Sequence, residues 1–147
     1  MNKEIDWQHK DIWSVRYSDN NFSVTVEHFT RTPIFFNEGE NSWCVYVYLY
    51  PEHPLFKEIN PKLGEPLNTW DERFYNIPFH GGCTYAQLHI NDNGTITSIQ
   101  LGADYQHFGD EEYSRMSSKE DAYLVFYDAK KLINWAMNYP NLENVEE

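Results

Sequence analysis

The sequence predicts an α+β domain in which a mainly antiparallel sheet, a meander of about five strands, packs against one amphipathic C-terminal helix. Three observations predict it. Five runs of β-branched and aromatic residues fall before residue 102, with apolar alternation or with apolar side chains on both faces. Turn-forming quartets join four of those runs into two hairpins. Only after residue 117 do apolar residues recur at a spacing of three and four.

The first ribbon is Ile12 to Tyr17 and Phe22 to Phe29, joined by Ser18-Asp19-Asn20-Asn21. Trp43 to Tyr50, reading WCVYVYLY, is apolar on both faces and stops at Pro51, as expected of a central strand. From Pro51 to Phe79 the prolines and Gly64 break every period, so an irregular segment is expected, with Trp70 and Phe74 spaced for one helical turn at most. Its Leu55, Phe56, Leu67, Trp70, Phe74 and Tyr75 are expected to pack down on the sheet.

Cys83 to Ile90 and Thr95 to Leu101 flank Asn91-Asp92-Asn93-Gly94, whose Asn-Gly pair suits the positive φ angles of a tight hairpin turn. Ser118 with Asp121 reads as a capping box for a helix whose stripe is Ala122, Val125, Phe126, Ala129, Leu132, Ile133 and Ala136. Lys130 and Lys131 suit the carbonyl end of its dipole, and Pro140 ends it. A frayed acidic tail is expected over 141–147.

Residues 1–147 carry no repeat, low-complexity stretch or linker, and their number suits one domain. Apolar residues at 41% and aromatics at 17% exclude a disordered chain, while a mean hydropathy of -0.70 requires a very polar surface. The charged opening MNKEIDWQHKD and the lack of a long apolar run predict a cytosolic chain with no membrane contact. Cys44 and Cys83 match neither a zinc spacing nor a disulfide framework, so both are expected reduced. Eleven basic residues against 23 acidic ones give a charge of -12, which argues against direct nucleic-acid binding. The acidic surface is then either a solvated face or a mimic of nucleic acid offered to a basic groove.

Two stretches place polar, turn-forming groups beside aromatic strands: His80-Gly81-Gly82-Cys83-Thr84-Tyr85 and Gly102 to Asp110. If the second hairpin pairs antiparallel, both lie at its open end, and His80, Asp104, His107 and Asp110 can converge. Imidazoles and carboxylates ligate borderline divalent metals, so these four form a candidate metal set. They can equally supply a general base and its orienting partner, with the Gly81 and Gly82 amides as an anion nest. A plainer reading also accounts for them: Gly81-Gly82 permits a turn, Asp104 and Asp110 cap backbone, and His107 is an ordinary surface histidine. His28 and His89 read as packed or cross-strand residues, and His9 belongs to a charged segment. No P-loop, dinucleotide fingerprint or nucleophile motif is present.

The order His53-Pro54-Leu55-Phe56, then His80 to Tyr85 (HGGCTY), then Gly102 to Asp110 (GADYQHFGD) resembles a group of small phage-encoded proteins. That group carries H-P-aromatic, H-G-G-x-T-aromatic and G-x-D-x-x-H-x-G-D in the same order. The likeness spans roughly Trp43 to Asp110, and Cys83 and Ala103 depart from it where an aliphatic and an aromatic residue are usual. It implies a phage or prophage origin and a shared site, and it draws attention to His53, but it brings no established activity. The expected role is a cytoplasmic accessory or counter-defence protein. It would bind a host defence protein through its acidic, aromatic surface, or a small phosphorylated ligand at the His80, Gly81, Gly82 end. The alternatives are a metal-dependent hydrolase using His80, Asp104, His107 and Asp110, and a structural or virion accessory protein. No cofactor is firmly implied; the hydrolase alternative alone would use a divalent metal.

Overall fold

The computed structural model describes residues 10–33, 39–107 and 109–141. It has a five-stranded antiparallel sheet of β1 (Lys10–Tyr17), β2 (Phe22–Thr30), β3 (Asn41–Leu49), β4 (Tyr85–Ile90) and β5 (Ile96–Asp104). Two helices accompany it, α1 (Pro54–Ile59) and α2 (Tyr123–Asn138). The strand order is β1-β2-β3-β5-β4, so β3 is the middle strand, as its doubly apolar sequence predicts. The meander holds for the first three strands. The chain then crosses to the far edge for β4, and β5 returns into the gap.

Alternation decides what each face carries. Phe22, Val24 and Val26 of β2, Trp43, Val45, Val47 and Leu49 of β3, and Ile99, Leu101 and Ala103 of β5 are buried in one core. Helix α2 lies over β2 and β3, and its Val125, Ala129, Leu132, Trp135 and Ala136 are buried. Phe126 and Ile133, expected on the buried stripe, are only half-buried at its margin, where Phe126 meets the edges of Trp13 and Trp43 at 5.2 and 6.2 Å.

Several local expectations need correction. The segment from Pro51 to Phe79 is not wholly irregular, because Pro54 sits at the first turn of α1, where its missing N–H costs nothing. Leu55 and Phe74 are buried and Phe56 and Leu67 pack against the core, but Trp70 (78% exposed) and Tyr75 (66%) stand in solvent while Ile77 and Phe79 take the inward places. In the β4–β5 turn only Gly94 has a positive φ, of 79°. The Asn91 side chain accepts from the Asn93 and Thr95 amides and closes a longer loop than a two-residue turn.

Ser118 caps the turn before α2, accepting from the Asp121 amide at 3.1 Å, while the Asp121 carboxylate meets Ser117 Oγ. Since α2 runs on to Asn138, Lys130 and Lys131 lie about two turns short of its carbonyl end. Of the frayed tail expected over 141–147, Asn141 donates to Asn138 O at 2.7 Å, and residues 142–147 lie outside the described residues, as does His9.

His53 is structural. It is fully buried, its Nδ1 accepts the Leu55 amide at 3.0 Å as the cap of α1, and its Nε2–H donates to Ala136 O of α2 at 2.9 Å. One imidazole therefore pins the two helices together. His28 is buried against the Trp43 ring at 4.4 Å with its nitrogens on Asp11 and Asn41, and His89 reaches across the ladder to Gln100 at 2.6 Å. Both cysteines are free, and no helix among the described residues is long and apolar enough to cross a membrane.

Candidate functional site at the open end of the β4–β5 hairpin

The two polar stretches meet because β4 and β5 pair in register, with Tyr85 opposite Gly102, and Thr84 donates to Gly102 O at 2.9 Å just beyond the ladder. Strand β5 runs three residues further than its apolar pattern. Gly102 makes this pairing close, for the Tyr46 ring of β3 occupies the space a Cβ there would fill. Asp104 is therefore a strand residue, paired with Cys44, and the loop proper begins at Tyr105.

Asp110 is the hub. Its Oδ1 lies 2.7 Å from His80 Nε2, and its Oδ2 lies 3.0 Å from His107 Nδ1 and 2.9 Å from the His107 amide. Burial pushes the Asp110 carboxyl up, but the bonds from His80 and from the amide and ring of His107 together outweigh it and hold the group below the ordinary aspartate range. An ionised carboxylate only accepts, so both imidazoles donate to it. Asp104 is at the margin: its Oδ1 stands 4.0 Å from His107 Nδ1 and accepts the Gln106 amide at 3.2 Å. The structure thus brings His80, His107 and Asp110 into one cluster, with one ligand-type atom from each inside a span of 4.8 Å.

Gly81 and Gly82 build the wall of the site. Both have positive φ, 73° and 91°, and a Cβ on Gly81 would stand 3.0 Å from His107 Cε1. The Gly82 amide is spent on Phe79 O, which takes one donor out of the expected anion nest.

The sequence reading missed the platform beneath the cluster. His80 stacks on Tyr105 with ring centroids 4.5 Å apart and planes 13° from parallel, and Tyr113 closes on both rings. The buried Tyr105 hydroxyl donates to Asp128 of α2 at 2.7 Å. Burial and then that bond push the Tyr105 phenol well above the ordinary tyrosine value, so it stays a donor. The signal for this platform was thin, since aromatic residues are common throughout the chain.

Beside the Gly81-Gly82 turn, whose Gly81 faces the His107 ring, lies an open groove of about 420 Å³ lined by Thr69, Trp70, Phe74, Tyr75, Gly82, Cys83 and Thr84. The described residues that line it are uncharged, in a chain with 23 carboxylates. The face of the sheet turned away from the core is a further feature. It carries Tyr46, Tyr48, Tyr85 and His89, whose recorded ring contacts are with one another, and Tyr50, held by Ser23 and covered by Arg16.

No protein-family model, curated protein or solved structure matches the chain, so the site speaks only through its own chemistry.

Proposed function

We propose that this chain is a small-ligand-binding protein that works at the His80–Asp110–His107 corner. Its ligand is a phosphorylated compound with a flat ring, the ring lying on Trp70 and Tyr75 and the phosphoryl group reaching the imidazoles. The observation that carries this reading is the adjacency of a converged His/Asp cluster and an uncharged aromatic groove at one glycine turn. Large aromatics are normally buried, and two left in solvent beside a cleft supply stacking area without further folding cost. Titration of the chain with AMP, followed by indole fluorescence, tests it. Saturable quenching is expected, with affinity reduced by about 5- to 150-fold in Trp70→Ala, in line with ~1 to 3 kcal/mol per stacked base. Absence of saturation by AMP or by other nucleotides and sugar phosphates would sink the reading.

A second reading is favoured by the tyrosine-bearing sheet face. Tyrosine offers large contact area at low entropic cost, which suits a protein partner. In the phage setting that the sequence motifs suggest, this partner is a host defence protein. With a charge of -12 on the chain, association with a basic target is expected to slow steeply between low and physiological salt. A rate independent of salt, measured by surface plasmon resonance on a captured target, would count against an electrostatic mimic.

A further inference from the structure

We infer that His80, His107 and Asp110 form a binding site for a divalent first-row transition-metal ion, the cation on which the phosphoryl group of the ligand is held. The second half of that inference rests on the reading of this corner as the working site. The first half stands on geometry alone.

An anionic ligand at this corner needs a positive partner, and among the described residues no lysine or arginine is paired with Asp104 or Asp110. The described ion-pair partners of Asp110 are two histidines, that of Asp104 is one histidine, and none of the described residues lining the neighbouring groove is lysine or arginine. Arginine and lysine are the usual phosphate clamps, and in their absence a metal ion supplies the charge. The chain's own charge of -12 raises the local concentration of cations rather than of phosphates.

The donors fit such an ion in kind and spacing. Two imidazoles and one carboxylate are a facial three-ligand set, which suits divalent iron, cobalt, nickel, manganese or zinc and leaves positions open. Ligands at about 2.1 Å and at right angles around one ion stand about 3 Å apart. Here Asp110 Oδ1 stands 2.7 Å from His80 Nε2 and Asp110 Oδ2 stands 3.0 Å from His107 Nδ1. With one ligand atom taken from each residue, all three lie within 4.8 Å of one another, so side-chain rotations bring them onto one ion. To bind, each imidazole carries its N–H on the other ring nitrogen and turns the lone pair of the nitrogen now on Asp110 to the ion. Asp104, 4.0 Å from His107 Nδ1, stands near enough to offer a further oxygen, directly or through water.

The surroundings favour the same use. Metal-binding side chains work when a surrounding shell locks their rotamers. Here Tyr105 stacks on the His80 ring, Tyr113 meets both rings at an angle, and Gly81 packs against the His107 ring. The entry path is present too, for the His80 and His107 side chains are 27% and 37% exposed over a carboxylate that is 9% exposed.

The test uses the full chain, stripped with EDTA and dialysed, then titrated calorimetrically with Zn²⁺ and with Mn²⁺, and with Co²⁺ followed by its visible absorption. One saturating ion per chain is expected, with Co²⁺ bands of a low-symmetry nitrogen and oxygen site. Affinity should fall by about 100-fold or more in His107→Gln. Asp110→Asn is the second variant, and unchanged far-UV circular dichroism identifies the variant that reports on binding rather than folding. A failure to saturate with any of the three ions, or saturation unchanged in the folded variants, overturns the site. AMP titration of the EDTA-stripped chain separates the two ideas. A metal that binds as expected without any AMP binding, stripped or loaded, retains the metal site and removes the ligand reading. AMP binding that is the same with and without metal removes the ion from phosphate recognition and retains the groove.

Discussion

His53→Ala is expected to be the most damaging single substitution outside the hydrophobic core proper. It removes the acceptor of the Leu55 amide and the donor to Ala136 O, and both groups stay buried when the ring is gone. Each orphaned group costs about 1 to 3 kcal/mol, so the loss is roughly 2 to 6 kcal/mol before the cavity between Phe22, Trp135 and Tyr139 is counted. Against a total stability of about 5 to 15 kcal/mol for a domain, that is a large fraction. Urea denaturation at neutral pH measures it, and a midpoint equal to that of the unsubstituted chain would show that the imidazole pins nothing.

The same residue makes the fold sensitive to mild acid. Burial pushes the His53 imidazole below its ordinary value of 6.5, against a smaller opposing effect of its bond to Ala136 O. Protonation would also set an N–H of the ring against the Leu55 amide. Above 6.5 the group is neutral in both states and stability is at its full value. As pH falls through 6.5 the unfolded chain binds a proton that the folded chain refuses, and stability declines until the lower folded value is passed. This slope is expected to disappear in His53→Phe, whatever that variant's stability at neutral pH, and urea midpoints at pH 7.5 and 5.5 read it directly.

Trp43→Ala is the second large effect. Trp43 is fully buried near the start of β3, donates from its indole to Met116 O at 2.9 Å, and packs against Trp13, His28 and Phe126. Truncation of a buried tryptophan costs about 3 to 5 kcal/mol, and here it also strips a partner from a backbone carbonyl. Phe126→Ala is expected to cost clearly less, because the Phe126 ring is only half-buried at the edge of the same cluster. Calorimetric melting of the two variants side by side checks the order. A larger drop for Phe126 would mean that α2 is seated differently on the sheet.

Both residues show what could be read in advance. Trp43 opens the run WCVYVYLY, and doubly apolar β-branched and aromatic sequence belongs in the middle of a sheet, where it lies. The hairpins were legible from turn residues, and α2 from its apolar spacing, because those signals depend on neighbours only a few residues away. His53 was not legible as a pin. Its partners are the nearby Leu55 amide and the distant Ala136 carbonyl, and nothing local announces the second. The six-residue α1 was hidden for a related reason: prolines and glycine break the period, and a short helix holds by its cap and by burial of Leu55.

The candidate site divides in the same way. Sequence by itself placed the two stretches that carry His80, Asp104, His107 and Asp110 at one end of a hairpin, where they can converge, since antiparallel pairing around Asn91 to Gly94 brings residues 80 and 104 to the same end. Only the tertiary structure decided which of them meet. The added three residues of β5 hold Asp104 in the ladder at the margin, while the turn after Tyr105 lays Asp110 between the two imidazoles. It also decided what lies beneath them, by bringing α2 close enough for Asp128 to take the Tyr105 hydroxyl. Local periodicity and turn chemistry act over a few residues and survive in sequence. The convergence of a strand end, a loop and a helix is set by long-range packing, which no short stretch of this chain encodes alone.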